Sequence, residues 1–180
     1  MADSGALIGI SFLAIVLIIA FLVFLARSIY TIRPYQQGVM TYLGKYMRVL
    51  NPGFVLVSPI AQVVLVDRRT QVLEVPRQEV ITKDNSPANV GAVIRIKVVD
   101  APRAIFQVQD FRVATVALAQ TTLRSVIGDM ELDEVLHDRE RINTRLRDLL
   151  GQATDRWGVR VEAVEIKEID PVGPVRAAMG

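Results

Sequence analysis

Residues able to do acid–base or nucleophilic chemistry are few in this sequence of 180 residues. His137 is the only histidine, and it stands between Leu136 and Asp138 at a predicted helix junction. Nucleophilic catalysis needs a nucleophile, a base and a group that orients the base. Ser58 and Ser125 have no candidate base nearby. We therefore expect a solvated or capping role for His137 and predict no catalytic residue.

Metal and cofactor chemistry has little more support. Four carboxylates around a short predicted helix could be interpreted as ligands for a divalent ion, but Arg139 and Arg141 beside them favour a solvated charged face. Gly128 and Gly158 are predicted helix terminators, and no glycine-rich phosphate loop is present. The absence of cysteine excludes disulfides, thiolate ligands and S-palmitoylation. We predict no enzyme activity, no metal site and no cofactor. The four carboxylates are Glu131, Asp133, Glu134 and Asp138.

The charge balance argues against a nucleic-acid partner. The formal net charge is +2 and 22% of the residues are charged, so acids and bases nearly cancel. No cationic face with interleaved aromatic residues is present. We expect no binding of DNA or RNA.

The longest apolar segment stands at the N-terminus, between Asp3 and Arg27. Its 21 residues Ala6–Ala26 form a helix of roughly 32 Å, enough to cross a hydrocarbon core of about 30 Å. A buried core helix is the alternative, but such helices usually carry a polar stripe. A cleaved signal peptide is the second alternative, but such a peptide has basic residues before its apolar segment, and Met1–Gly5 contains only the acidic Asp3. The segment predicts a retained, single-pass anchor of the cell membrane.

The charges that follow this anchor predict its orientation. From residue 27 to residue 66 the only charged residues are Arg27, Arg33, Lys45 and Arg48, all basic. Cations flanking a spanning helix stay on the cytoplasmic side. We expect the N-terminus outside and the rest of the chain in the cytoplasm.

A second uncharged segment covers residues 54–66 and is interrupted only by Ser58 and Pro59. It predicts either two short strands around a turn or a loop that dips into the membrane. Interfacial insertion of its first half, helped by Arg33, Lys45 and Arg48, is a hypothesis. The predicted membrane-interface residues are Arg27, Arg33, Lys45, Arg48, Phe54, Val55, Leu56, Val57, Pro59 and Ile60.

The remaining pattern predicts an α+β fold. Alternating residues in Arg69–Val75, Gln78–Ile81 and Val90–Val99 indicate an antiparallel sheet, and helical periodicity begins near Ala101. Asp110 and Asp138 are expected to cap helices, and a strand with a bulge at Ala163–Val164 returns before Pro171 and Pro174. We predict an anchor over 1–28, a sheet-rich part over 29–100 and a helix-containing part over 101–180.

Four stretches of the sequence resemble the stomatin-like proteins of the SPFH or band 7 family, which includes prohibitins, flotillins and HflK/C. They are RRTQVLEVPRQEVITKDNSP (Arg68–Pro87), LAQTTLRSVIGDMELDEVL (Leu118–Leu136), RERIN (Arg139–Asn143) and ATDRWGVRVEAVEIKEID (Ala153–Asp170). The resemblance implies a two-part SPFH domain against the membrane, homo-oligomerisation into large rings or cages, and a scaffold that organises a membrane microdomain. A regulatory subunit of a membrane protease or ion channel is the alternative, and an NfeD-type membrane protein is an implied partner.

Three expectations accompany this resemblance. The helix should span rather than re-enter, because it lacks the proline of some relatives. Relatives continue past the equivalent of Arg176–Met179 into a long charged helix, which we expect to build the oligomer walls. The exposed face of the Asp138–Trp157 helix and the sheet edges Val90–Val99 and Val159–Ile166 are expected to supply contacts between copies.

Overall fold

The computed structural model describes residues 3–173 and confirms the α+β fold with an N-terminal apolar helix. The chain divides into two compact units between Asp67 and Arg68, whereas the sequence placed the division after residue 100. The difference arises because strand Gln71–Ile81 pairs with strand Pro87–Val98, which in turn pairs with Val159–Ile166, a strand that follows the helices. These strands therefore belong to the second unit. The predicted strand end at Pro174 and the continuation beyond residues 176–179 lie outside the described residues.

Unit 1 begins with helix α1, Asp3–Ser28. Its stretch Ser4–Ser28 is long and apolar enough to cross a membrane; Ser4 to Arg27 are all exposed, and only its last residue, Ser28, is buried. The Ser11 and Ser28 hydroxyls donate to the carbonyls of Leu7 and Phe24, at 2.8 and 2.9 Å. Both hydroxyl groups therefore have hydrogen-bond partners within the helix, as polar groups in the hydrocarbon region of a membrane require.

Five strands complete unit 1: β1 Ile29–Ile32, β2 Gln36–Tyr42, β3 Lys45–Leu50, β4 Gly53–Leu56 and β5 Gln62–Asp67. β1 pairs with β4, and a separate antiparallel sheet has the order β3-β2-β5. A small core of Ile32, Leu50, Val57 and Ala61 holds this unit together. The prediction of two strands around Ser58–Pro59 is confirmed.

The sheet of unit 2 contains β6 Gln71–Ile81, β7 Pro87–Val98, β8 Val159–Ile166 and the short β9 Asp170–Pro171. β7 lies in the middle, between β6 on one side and β8 and β9 on the other. The prediction that Val90–Val99 forms a sheet edge is therefore wrong. The two predicted strands around Pro76 are one strand with a bulge, because proline cannot donate to a neighbouring strand. β8 contains the predicted bulge, but the extra residue is Glu162, so the bulge precedes the predicted position Ala163–Val164.

Within the described residues, unit 2 has four α-helices: α2 Ala101–Phe106, α3 Phe111–Gly128, α4 Leu132–His137 and α5 Arg139–Thr154. α3 packs against β6 and α5 against β8. The Asp110 carboxylate accepts from the amides of Arg112 and Val113, which confirms the predicted cap of α3. Asp138 precedes α5 but makes no capping hydrogen bond, so that prediction is wrong. Gly128 is the last residue of α3, not a terminator beyond it, whereas Gly158 adopts the expected left-handed φ of 65°.

The core of unit 2 lies between the sheet and helices α3 and α5. One face of β6 and β7 buries alternate residues such as Val75, Val90 and Ile94, as strand geometry requires. Apolar residues spaced by three or four along α3 and α5 pack against them. These include Ala119, Leu123, Val126, Ile127, Ile142, Leu146 and Leu150.

Candidate membrane-facing surface

The three residues considered for catalysis, His137, Ser58 and Ser125, have local structural contacts or surface positions. The Nδ1 atom of His137 lies 2.8 Å from the carbonyl oxygen of Asp133 and 3.2 Å from its carboxylate, one helical turn away. Ser58 accepts the amide of Ala61 with its carbonyl, at 2.9 Å, and so forms a turn. The hydroxyl of Ser125 is on the exposed side of α3. Ser58 belongs to unit 1, whereas Ser125 and His137 belong to unit 2.

The four carboxylates likewise act locally. Glu131 and Glu134 form a capping box at the start of α4. Asp138 pairs with Arg141 at 3.7 Å. Within residues 3–173, no group of three or more acidic or histidine side chains is arranged to hold a metal ion.

Two further carboxylates have lowered pKa values and join elements of unit 2. The Thr82 hydroxyl donates to the Asp84 carboxylate, and this hydrogen bond lowers the pKa of Asp84; the amide of Leu132 adds a second, at 3.2 Å. Asp84 thereby ties the β6–β7 turn to α4. A hydrogen bond and charge attraction from Lys167 lower the pKa of Glu74. Both groups are exposed and serve the fold.

The surface next to the membrane anchor is built by β1 and β4. β1 starts at Ile29, directly after α1 ends at Ser28. β4 pairs with it in antiparallel register, with Ile29 opposite Leu56. The amide of Val57 then donates to the Ser28 carbonyl, at 2.8 Å, so the pairing extends to the last helical residue. We call this two-stranded element, residues 29–32 and 53–56, the ribbon.

The two faces of the ribbon differ in burial. Successive side chains on a strand point to opposite faces. Ile32 lies in the core of unit 1, with Tyr30 and Val55 partly buried against that core. The opposite face exposes Ile29, Phe54 and Leu56, and Phe54 keeps 84% and Leu56 71% of its surface accessible. An apolar face of this kind next to the end of an apolar helix has the character of a membrane contact.

The structure brings together only some of the predicted membrane-interface residues. Arg27 lies in the last turn of α1, one residue before Ser28, and is exposed. Phe54 and Leu56 lie on the ribbon, and Ile60 is exposed in the following loop. Val57 is only 4% accessible because it packs in the core of unit 1. Val55 and Pro59 are half-buried.

The other predicted cations lie elsewhere in unit 1. Arg33 follows the far end of β1, about 13 Å along the strand from α1. Its guanidinium donates to the Tyr35 hydroxyl, at 2.7 Å. Lys45 and Arg48 are exposed on β3, in the other sheet. The sequence analysis did not include Ile29 among the membrane-interface residues. Its place on the strand, on the face opposite Tyr30 and Ile32, could have indicated that it is exposed.

These features define a class: an α+β protein with one candidate membrane anchor within residues 3–173 and an apolar surface beside it. Comparison with known proteins agrees. The profile of the SPFH domain / Band 7 family matches residues 30–180. The chain therefore belongs to this family, and it is stomatin-like.

Three relatives illustrate the match. A stomatin homolog of Pyrococcus abyssi is 44% identical over 168 residues, covering 92% of this chain and 63% of the relative. An uncharacterized protein of Methanothermobacter thermautotrophicus is 47% identical over 168 residues, covering 93% and 53%. One of Methanocaldococcus jannaschii is 46% identical over 156 residues, covering 86% and 78%. The chain thus spans between about half and four fifths of the length of these relatives.

Proposed function

We propose that the protein is a membrane-anchored scaffold whose copies form large rings or cages and organise a membrane microdomain. The observation that carries this proposal is the continuity between α1 and the ribbon. An unburied apolar helix passes without a linker into strands that expose Ile29, Phe54 and Leu56. Such a chain holds its folded part against the lipid surface instead of letting it move freely on a tether.

Two further features support an assembly as the functional form. A single spanning helix without an internal charge has no pathway for a substrate or ion. Copies held in one membrane plane by parallel helices are already oriented, which favours a closed ring over a filament. The function would then belong to the assembly.

The exposed face of α5 can supply contacts between copies. A groove of about 680 Å³ runs along it, lined by charges of both signs. Leu149 lies in the same groove and is partly exposed. Mixed charges around an apolar residue are typical of the rim and centre of a protein interface. The charged residues of the groove are Asp138, Glu140, Arg141, Arg145 and Asp148.

The experiment is light scattering on protein extracted from its own membranes, with its natural C-terminus, in mild detergent. The proposal predicts a homo-oligomer well beyond a tetramer. A monomer or dimer of the native protein would contradict the proposal. A stoichiometric complex with another membrane protein would instead support the regulatory subunit, with an NfeD-type protein or a membrane protease as the partner to seek.

A further inference from the structure

The turn between β2 and β3 exposes an unusual set of side chains. We call residues 42–47 the hairpin tip. Tyr42, Leu43, Tyr46 and Met47 are all exposed there, and Leu43 keeps 75% of its surface accessible. Lys45 is exposed among them. Tips of solvated hairpins usually carry glycine, asparagine or aspartate, so four apolar or aromatic residues at one tip need an explanation.

The backbone at Leu43 makes this choice of residue costly for the fold. Leu43 and Gly44 have φ values of 48° and 79°, as in the two-residue turns that match the twist of a hairpin. The left-handed region is unfavourable for a leucine, whose β-carbon crowds the following carbonyl oxygen. With its side chain three-quarters exposed, burial within the chain does not offset that cost. A gain outside the chain would account for leucine at this position.

The strand register, together with the short connection from β4 to β5, indicates that the hairpin tip is at the end of unit 1 nearer to α1. Leu56 pairs with Ile29, the first residue after the helix. The chain then turns through Ser58–Ala61 and enters β5 at Gln62, which pairs with Thr41 next to the tip. At the opposite strand ends, Ile32 pairs with Gly53 in one sheet and Gln36 pairs with Asp67 in the other, and Gln36 follows Ile32 closely along the chain.

The chemistry of the hairpin tip fits a lipid headgroup region. Tyrosine rings are favoured at the boundary between water and hydrocarbon. A lysine there can direct its charge to the headgroups while its stem stays among apolar groups. No acidic residue occurs between Asp3 and Asp67, so nothing in this part of the sequence opposes attraction to anionic lipid.

From these observations we propose that the hairpin tip is a second lipid contact, immersed in the interface of the leaflet from which α1 emerges. Leu43, Met47 and the two tyrosines enter the lipid, and Lys45 pairs with anionic headgroups. With the ribbon, the hairpin tip fixes the tilt of unit 1 on the membrane. This inference rests on the proposed membrane anchoring by α1.

The test uses nitroxide labels on the chain reconstituted in vesicles of phosphatidylcholine and phosphatidylglycerol. The sequence has no cysteine, so each label needs one substitution. Leu25→Cys marks the anchor, Leu43→Cys the hairpin tip and Asn51→Cys the exposed turn at the other end of β3. Collision with oxygen reports lipid, and collision with a water-soluble nickel complex reports water.

The proposal predicts high oxygen and low nickel collision at both residue 25 and residue 43, and the reverse at residue 51. High nickel collision at residue 43 would overturn it, because the hairpin tip would then lie in water. Low collision with both agents would also overturn it, because the hairpin tip would then be covered by protein, such as a second copy. High nickel collision at residue 25 would contradict the membrane anchor itself, so failures of the two proposals are distinguishable.

Two variants separate membrane contact from folding, with the label moved to Met47→Cys. Leu43→Gly relieves the backbone at this position, so it should leave thermal stability unchanged or raised while nickel collision increases severalfold. Lys45→Glu should increase nickel collision at least about fivefold in anionic vesicles and less in pure phosphatidylcholine. Unchanged nickel collision in both variants would overturn the proposal.

Discussion

The double substitution Phe54→Ser and Leu56→Ser tests the ribbon as a membrane contact. Burying a phenylalanine or leucine side chain in an apolar medium is worth about 1.5–3 kcal/mol. These two side chains are 84% and 71% accessible, so most of their surface is available to lipid. In the double variant, the free energy that favours immersion of the ribbon in lipid should therefore fall by roughly 3–4 kcal/mol. This corresponds to a decrease of about a few hundredfold in the ratio of immersed to non-immersed ribbon.

The same variant should hardly alter folding. Substitutions of exposed residues usually change stability by less than about 0.5 kcal/mol, with a further cost below about 1 kcal/mol for serine in a strand. Val72→Ser is the matched control, because Val72 is 66% accessible on β6, outside the ribbon. It should change neither the immersion of the ribbon nor the fold.

The assay is nickel collision at a nitroxide on Thr31→Cys, since Thr31 is the cross-strand neighbour of Phe54. Nickel collision at residue 31 should be low in the parent chain and in the Val72→Ser control, and high in the double variant. Equal, low collision in all three, with the fold intact, would refute membrane contact through these side chains. Unfolding of the double variant alone would show that the face is packed rather than exposed.

Three more predictions address the fold and the topology. Gly158→Ala should destabilise unit 2 by about 3 kcal/mol, because the residue has φ 65° and the new β-carbon would lie 2.4 Å from the Asp100 carbonyl oxygen. The control is Gly151→Ala, whose new β-carbon meets nothing within 4 Å, so it should stabilise α5 by about 0.5–1 kcal/mol. The measurement is urea unfolding followed by Trp157 fluorescence. Similar stability changes in the two variants would contradict the close approach of Gly158 to Asp100. Asp84→Asn should lower the thermal stability at neutral pH. Folding lowers the pKa of Asp84, so the carboxylate contributes to stability above the usual carboxyl range, and this contribution is lost as the pH falls through the lowered pKa. A difference in thermal stability between the variant and the parent that persisted in acid would contradict a role of the charged carboxylate. A protease site fused after Gly180 should resist external protease in intact cells, and cleavage there would contradict a cytoplasmic domain.

The elements with strong local signals were predictable from the sequence. Helix α1 follows from its uncharged length, and α3 from an aspartate cap before a periodic apolar stretch. The left-handed end at Gly158 is specified by the one residue type that adopts it without cost. Each of these depends on neighbours within a few positions.

The parts that were missed depend on distant partners. The position of β7 in the middle of its sheet requires β8, which begins some sixty residues after β7 ends. The same pairing moves the division between the units from residue 100 to Asp67. Val57 belongs to an apolar segment, but its burial depends on packing against Ile32 and Leu50. The break between two strand-like segments at Gly44–Lys45 is indicated by the sequence, whereas the exposure of Leu43 and Met47 beside it depends on how the strands pair and pack.

Imaging of the native protein, extracted from its membrane together with surrounding lipid, tests the scaffold most directly. The account predicts closed rings or cages of many copies around a lipid patch, with each α1 in the bilayer and each ribbon at its surface. Particles that contain one or two copies, or copies whose ribbons stand clear of the lipid, would contradict it.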